Sequence, residues 1–278
     1  MKSTTCTIMA SALVLALCAC NQRETGAEAP AAAEAASLET LNGTWKADLA
    51  SIKFEGKPNE MMLQGGTYNC KTCIPPLTVA ADGQFHPVAD RPYFDSISVR
   101  AVDDRTVEIH RRKGEREVSS TTMQVSQDGN MLNTKFTNAN NPSSPPIQGT
   151  ETARRAGAAP AGAHAVSGQW TPDRLQDYSE DALNITFRIA RNQVTMNVQG
   201  ETYTAEIGGP AVRVQGDTGG TTVAVTREGN GIRETSTRGG KDVNHTVIMP
   251  SADGNSVIFT SSDPRDGSKT TWTAKKAG

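Results

Sequence analysis

Apolar and polar residues alternate along many short segments of the chain. Residues 94–102 (FDSISVRAV) and 106–110 (TVEIH) show this period of two, and so do residues 183–189 (LNITFRI) and 221–226 (TTVAVT). Alternation with a period of two predicts β-strands with one buried face. Asp-Gly pairs, as at 128–129, supply turn residues between such strands. No long segment has helical periodicity, so the sequence predicts an all-β fold of antiparallel strands.

The second pattern is an internal duplication. Residues 42–48 (NGTWKAD) recur as 167–173 (SGQWTPD), with the glycine, tryptophan and aspartate each 125 positions later. Residues 126–130 (SQDGN) recur as 251–255 (SADGN) at the same offset of 125. Because solenoid repeats have periods of about 20–50 residues, an offset this long predicts two copies of a whole domain.

The copies extend from residue 38 to 156 and from residue 166 to 278, with a linker at 157–165. Their ends also match, since 152–157 (TARRAG) resembles 273–278 (TAKKAG) at an offset of 121. The length fits about eight strands per copy, and closing them into a barrel removes exposed edges. We therefore expect two tandem antiparallel β-meander or barrel domains. The sequence leaves open whether they form separate barrels or one composite sheet.

The N-terminus has the features of an export signal. Lys2 precedes an apolar run at 8–17, which is too short for a stable membrane span. The sequence Leu17-Cys18-Ala19-Cys20 resembles a bacterial lipobox, which implies that residues 1–19 are a lipoprotein signal peptide and that Cys20 carries acyl chains such as palmitate. Ordinary signal cleavage is the alternative.

The same resemblance implies a location. Asn21 is not the aspartate that retains many such lipoproteins at the inner membrane, so the outer membrane, with the protein facing the periplasm, is favoured. The Ala-rich segment after Cys20, through residue 37, has no periodic apolar pattern and is interpreted as a flexible tether. We thus expect a protein of the bacterial envelope whose contact with the membrane is the lipid anchor.

Cys70 and Cys73 are the two remaining cysteines of the exported part. An oxidising compartment favours a disulfide between them. A redox role and a metal site are the alternatives for C-x-x-C spacing. Pro75-Pro76 stops a following helix, which a thioredoxin-type motif requires, and no second cysteine or histidine pair completes a zinc site.

Gly43-x-Trp45 and Gly168-x-Trp170 each open a series of predicted strands. They resemble the G-x-W motif in the first strand of lipocalins, which belong to the calycin superfamily. The arrangement is also similar to a group of bacterial lipoproteins with tandem lipocalin-like repeats, in which such a motif precedes a Lys-Phe pair, here Lys53-Phe54. The resemblance covers most of residues 38–278 and implies a barrel fold without implying an activity.

Lipocalins also place a basic side chain over this tryptophan, late in the barrel. By resemblance, the pairs Arg154-Arg155 and Lys275-Lys276 are the candidates, and a cation–π contact contributes roughly 0.5–2 kcal/mol. We expect both tryptophans to be packed in the core at the floor of a barrel, with contact to a ligand as the alternative.

Composition and motifs exclude several classes of function. A net charge of −2 with interspersed signs argues against nucleic-acid binding. The four histidines match no zinc motif, and no serine-hydrolase motif is present. We predict no catalytic residue, metal or cofactor. Asp103-Asp104 is interpreted as a tight turn, and residues 111–113 (RRK) as the solvated tip of a hairpin or a contact for anionic lipid headgroups.

These features lead to an expected function. We expect a non-catalytic, lipid-anchored envelope protein that binds a small apolar molecule or lipid, because a cavity in a chain of 5% aromatic content would be walled mainly by aliphatic side chains. The alternative is a structural or protein-interaction lipoprotein whose barrels are filled by their own side chains, with protein partners that the sequence does not name.

Overall fold

Twenty β-strands and two short 3₁₀ helices make up the regular structure of residues 38–277, the part of the chain that the computed structural model describes. The all-β prediction is confirmed. The signal peptide, Cys20 and the tether lie outside the described residues.

The first sequence copy contributes ten strands: β1 (Gly43–Glu55), β2 (Asn59–Gln64), β3 (Thr67–Cys70), β4 (Leu77–Ala80), β5 (Asp82–Pro87), β6 (Ser96–Asp103), β7 (Thr106–Lys113), β8 (Arg116–Val125), β9 (Met131–Asn138) and β10 (Ile147–Arg155). The second copy contributes β11 (Gly168–Gln176), β12 (Asn184–Ala190), β13 (Gln193–Val198), β14 (Glu201–Glu206), β15 (Val212–Arg213), β16 (Thr222–Glu228), β17 (Gly231–Arg238), β18 (Lys241–Pro250), β19 (Ser256–Ser262) and β20 (Lys269–Lys276). The 3₁₀ helices are Leu38–Leu41 and Glu180–Leu183.

The strands form two ten-stranded antiparallel sheets, each almost closed into a barrel. The first barrel has the order β4-β3-β2-β11-β10-β9-β8-β7-β6-β5. The second barrel has the order β14-β13-β12-β1-β20-β19-β18-β17-β16-β15. In the second barrel, single bridges from Thr202 to Gln215 and from Ile207 to Val225 connect the two ends of the sheet. Each barrel has ten strands rather than the expected eight or so, because several connections contain short strands of their own.

The two barrels exchange their first strands. Strand β1 of the first copy lies between β12 and β20 in the second barrel, and β11 of the second copy lies between β2 and β10 in the first barrel. The sequence copies 38–156 and 166–278 therefore do not coincide with the barrels. The first barrel is a continuous segment of chain from β2 to β11, whereas the second barrel needs the distant β1 to fill the gap beside its last strand.

The duplication is visible in the strand bounds. Strands β7, β8 and β9 begin at Thr106, Arg116 and Met131, and their counterparts β17, β18 and β19 begin 125 residues later in each case. Equal offsets over three consecutive strands allow each position of one barrel to be compared with its counterpart in the other.

Each barrel has its own apolar core. The core of the first barrel surrounds Trp170 and is otherwise built from the first copy, apart from Val166 and Ala165 just before β11. The core of the second barrel surrounds Trp45, with Leu38 and Leu41 beside it, and is otherwise built from the second copy. Both indoles are fully buried. The exchanged strands thus carry the largest core side chain of the barrel that they enter.

Residues 111–113 differ from the expectation of a solvated hairpin tip. Arg111 and Arg112 lie within β7, and their guanidinium carbons lie 5.5 Å and 3.8 Å from the ring centroids of Phe94 and Phe85. The prediction of a solvated tip was wrong for Arg111 and Arg112, because the rings of Phe94 and Phe85 provide faces on which these side chains stack. The alternative, contact with anionic lipid headgroups, stays a prediction. Only Lys113 of the three is exposed.

All described residues belong to one compact unit. Within them, no helix has the length and apolar character needed to cross a membrane. The large apolar side chains that are exposed there, Ile74, Val102 and Ile258, come from three different parts of the chain.

The strand exchange can be tested by crosslinking. In the second barrel Thr44 opposes Thr186, and their hydroxyl oxygens are 2.9 Å apart. We expect the double variant Thr44→Cys/Thr186→Cys of residues 38–278 to form an intramolecular disulfide, detected by peptide mapping under non-reducing conditions.

The matched control is Thr44→Cys/Glu60→Cys. Gln169, the counterpart of Thr44, opposes Glu60 in the first barrel, so Thr44 would oppose Glu60 if each copy kept its own first strand. Crosslinking of this second pair in the monomer, in place of the first, would contradict the exchange.

Candidate functional site

The floor of each barrel is built around the tryptophan of the exchanged strand. Trp45 Nε1 donates a hydrogen bond to the carbonyl of Leu41, and Trp170 Nε1 donates one to the carbonyl of Val166, both over 2.8 Å. The two contacts are equivalent, since Leu41 and Val166 are also 125 residues apart. Because each buried N–H has an acceptor, the indoles are satisfied without a ligand.

One cation of each basic pair covers a tryptophan. The Arg155 guanidinium carbon lies 4.1 Å from the ring centroid of Trp170, and Lys276 Nζ lies 5.8 Å from that of Trp45. Arg155 also donates hydrogen bonds to three carbonyl oxygens, of Gly129, Ala165 and Ser167. Arg155 therefore fastens the segment before β11 to the end of β10.

The other cation of each pair forms an ion pair instead. Arg154 Nε lies 3.0 Å from Asp173 Oδ1, and Lys275 Nζ lies 3.2 Å from Asp48 Oδ2. Successive side chains of a strand point to opposite faces, so only one member of each pair can lie over the ring.

The glycines of the two G-x-W motifs make room for these cations. Gly43 and Gly168 have φ values of +123° and +119°, in the region that favours glycine. A Cβ atom on Gly168 would lie 2.8 Å from Arg155 Nη1, and one on Gly43 would lie 3.6 Å from Lys276 Cε. The eight residues predicted for the barrel floors thus lie at two equivalent places, with a structural role in each.

The cysteine pair forms a disulfide. Cys70 at the end of β3 is bonded to Cys73, with their Cα atoms 5.4 Å apart. It holds the loop between β3 and β4. Among the described residues, no group of three or more histidine, cysteine or acidic side chains is arranged to hold a metal ion.

A polar cavity lies in the second barrel, and Trp45 is not part of its lining. Its volume is about 230 Å³, and we call it the mouth cavity. Its polar lining comprises Tyr93, Glu201, Tyr203, Asp217, Thr221, Glu234, Ser236, Arg238, Asn244 and Arg265, and its apolar lining comprises Met196, Val214, Val223 and Val243. A neighbouring groove of about 320 Å³ shares Tyr93 and Glu201 with it.

Glu234 is one of two buried acids of the mouth cavity, with Asp217. Glu234 lies on β17 with 9% of its surface exposed and accepts a hydrogen bond from the hydroxyl of Tyr203 on β14. Burial raises the pKa of Glu234 to about 7, although the hydrogen bond from Tyr203 acts to lower it. Burial and the adjacent Glu234 carboxyl in turn raise the pKa of Tyr203.

The counterpart of Glu234 in the first barrel is apolar. Ile109, 125 residues earlier on β7, is 2% exposed and belongs to the first core. The same position of the same fold therefore holds an aliphatic side chain in one barrel and a carboxyl group in the other. The fold itself does not require an acid there.

Asp217 and Arg238 form the rim of the cavity together with Tyr93, which belongs to the first copy. Asp217 accepts hydrogen bonds from the Tyr93 hydroxyl over 2.8 Å and from the Thr221 backbone N–H over 2.6 Å. The Arg238 guanidinium carbon lies 4.9 Å from the Tyr93 ring centroid, and its Nε donates to the Thr221 hydroxyl over 2.9 Å.

These contacts determine the ionisation of the rim. Burial acts to raise the pKa of Asp217, but the hydrogen bonds from Thr221 and Tyr93 outweigh it and the pKa lies below its ordinary value. Burial raises the pKa of Tyr93 to about 12. At neutral pH Asp217 is thus a carboxylate and Tyr93 a neutral donor.

Glu201 lies between the mouth cavity and the neighbouring groove. Burial, and then the negative charge of Asp217, raise the pKa of Glu201. No hydrogen bond or ion pair connects its carboxyl group to another described side chain. In the groove, Asn140 Oδ1 is buried and has no hydrogen-bond partner in the described part of the chain.

In comparisons with known proteins, no protein-family model, curated protein or solved structure matches this chain. The lipocalin resemblance stays a prediction from the motif residues. The chemistry of the cavity has to be inferred from its own side chains.

The sequence prediction did not include the residues of the mouth cavity. Glu234 belongs to no sequence motif, and nothing in the sequence of β17 distinguishes it from the other predicted strands. The signal that could have found it is the comparison of the two copies at an offset of 125, where Glu234 replaces Ile109. The other cavity residues come from separate strands and loops, so nothing in their spacing brings them together.

The buried acid makes stability depend on pH. Because its pKa rises from an ordinary 4.5 to about 7 in the fold, the contribution of Glu234 is fully present below pH 4.5 and is lost as pH rises through 7. We expect Glu234→Gln, which keeps an acceptor for Tyr203, to unfold at a higher denaturant concentration than wild type at pH 8. The gain approaches about 3 kcal/mol at that pH and disappears at pH 4.

Glu228→Gln is the control for this measurement. Glu228 is also in the second barrel, but its hydrogen bonds from Arg233 lower its pKa, so its loss does not stabilise the protein at pH 8. Equal effects of the two variants, or no gain from Glu234→Gln at pH 8, would contradict the burial of an ionisable Glu234.

Proposed function

We propose that the protein is a non-catalytic binding protein of the bacterial envelope that holds a small polar molecule in the mouth cavity. Three carboxyl groups, two guanidinium groups and two tyrosine hydroxyls line this cavity, so an apolar guest would displace water and leave the acceptors of Glu201 and the second oxygen of Glu234 without a partner. The described cavity thus favours a polar ligand over the apolar one expected from composition.

The observation that carries this proposal is the difference between two equivalent positions, which hold Ile109 in the first barrel and Glu234 in the second. A buried carboxyl group costs stability unless it is paired and hydrogen-bonded, and the first barrel folds around an isoleucine at the same position. A costly group that the fold does not need is typical of a functional site.

A structural or protein-interaction role is the second candidate. It is supported by the continuous apolar cores in both barrels, since a filled barrel needs no guest. Occupancy of the mouth cavity distinguishes the two candidate functions, because only the binding role needs a ligand there.

Native mass spectrometry of residues 38–278, purified from the periplasm, tests the binding proposal. We expect an added mass on the wild-type protein that is lost in Glu234→Ile, which installs the side chain of the first barrel, and retained in Ile109→Val, the control at the equivalent position. A ligand-free mass that stays unchanged after incubation with an envelope extract would favour the interaction role.

The membrane anchor is a separate part of the proposal, based on the lipobox resemblance at Cys20. A lipid on Cys20 would hold the barrels at the membrane by the tether of residues 21–37. We expect Cys20→Ala to move the full chain from the membrane fraction to the soluble periplasmic fraction. Cys18→Ala, which removes a neighbouring thiol, should leave it at the membrane. Membrane association of both variants would contradict anchoring through Cys20.

A further inference from the structure

We infer that the ligand of the mouth cavity carries a positively charged nitrogen, such as a primary ammonium group, held between Glu234 and Glu201. This inference rests on the proposed binding function and specifies its ligand class.

The carboxyl groups of the cavity are not neutralised by its arginines. Arg265 is held by Asp263 through two hydrogen bonds, to Oδ1 over 2.8 Å and to Oδ2 over 2.5 Å, so its charge is already paired. Arg238 stacks on Tyr93 and donates to Thr221. Its charge opposes the rise in the pKa of Glu201 that burial causes, but it forms no ion pair with an acid among the described residues. Three carboxyl groups therefore face only one cation whose charge is not already paired, Arg238. Two of the carboxyl groups have no positive charge in the cavity to balance them.

The unused acceptors belong to Glu234 and Glu201. Asp217 already accepts from Tyr93 and Thr221. Only Oε1 of Glu234 accepts a hydrogen bond, from Tyr203, and its second oxygen has no partner in the described part of the chain. Glu234 is more than nine-tenths buried and lines the cavity. This second oxygen keeps access to solvent and so faces the cavity. A cationic donor there replaces the solvation that the largely buried carboxyl group has lost.

The size and the apolar wall restrict the rest of the ligand. A volume of about 230 Å³ holds about eight non-hydrogen atoms, taking the roughly 30 Å³ that a water molecule occupies in the liquid. Met196, Val214, Val223 and Val243 give part of the cavity wall an apolar surface. A small amine with a short apolar body fits this combination.

Three probes built on one benzene ring test the charge of the ligand. Benzylamine, benzyl alcohol and benzoate present an ammonium, a hydroxyl and a carboxylate group on the same ring. We would measure their binding to residues 38–278 by titration calorimetry at pH 8, where Glu234 is ionised. Benzylamine should bind at least about ten-fold more tightly than benzyl alcohol. Benzoate should give no measurable heat.

Variants locate the binding. Glu234→Gln and Glu201→Gln should each weaken benzylamine binding about ten-fold while leaving benzyl alcohol little changed, since each replaces a charge and keeps the shape. Glu228→Gln, on the same barrel but outside the cavity, should bind like wild type. Thermal unfolding of each variant verifies that the barrel is intact.

The outcomes distinguish the ligand class from the binding function. Equal or tighter binding of benzyl alcohol or benzoate, or benzylamine binding that neither glutamate variant weakens, overturns the cation inference and leaves the binding proposal in place. If no probe binds, the molecule found by native mass spectrometry decides: a ligand with a cationic nitrogen supports the inference, and one without it overturns it. A ligand-free protein that binds no probe overturns both.

Discussion

The indole of Trp45 closes the base of a barrel that is otherwise built from the other sequence copy. Its strand, β1, lies between β12 and β20, and its ring packs among second-copy residues such as Phe187 and Val257. Removing a buried aromatic side chain of this size costs about 3–5 kcal/mol, a large share of the stability of a typical domain. The second barrel therefore depends on a segment more than 100 residues away from its other strands, and the two copies are joined by their cores as well as by the chain.

The arrangement follows from the order of the strands. In the first barrel, β10 is followed by β11 as its direct neighbour, so every pairing except β2 with β11 joins strands that are close in sequence. Local pairing loses less chain entropy than pairing over a long loop. Once β11 has taken this place, the gap between β12 and β20 is left for β1, which carries the same glycine and tryptophan. The exchange is thus the outcome of β10 and β11 pairing as consecutive strands.

Alternation of apolar residues was sufficient to predict the strands, and the offset of 125 was sufficient to predict the duplication. The exchange could not be predicted, because β1 and β11 carry the same motif and either can fill either barrel. The basic pairs were predicted as pairs, and the strand geometry then selects Arg155 and Lys276 as the cations over the rings. Glu234 was missed because alternation predicts only which face of a strand a residue occupies. It does not compare the residue with its counterpart in the other copy. In a duplicated chain, the positions where two equivalent side chains disagree in charge carry functional information that periodicity does not.

Both copies contribute residues to the mouth cavity. Tyr93 belongs to the first copy, yet its hydroxyl donates to Asp217 and its ring supports Arg238, both of the second copy. Strand β1 fills the barrel below, and Tyr93 lies at its rim, so the first copy contributes at both ends of the second barrel. An isolated second copy would have only its own β11 to take the place of β1, and its cavity would lack Tyr93. The two copies have therefore diverged within one shared structure, in which the first barrel keeps an apolar interior at position 109 and the second barrel has a buried acid at the equivalent place.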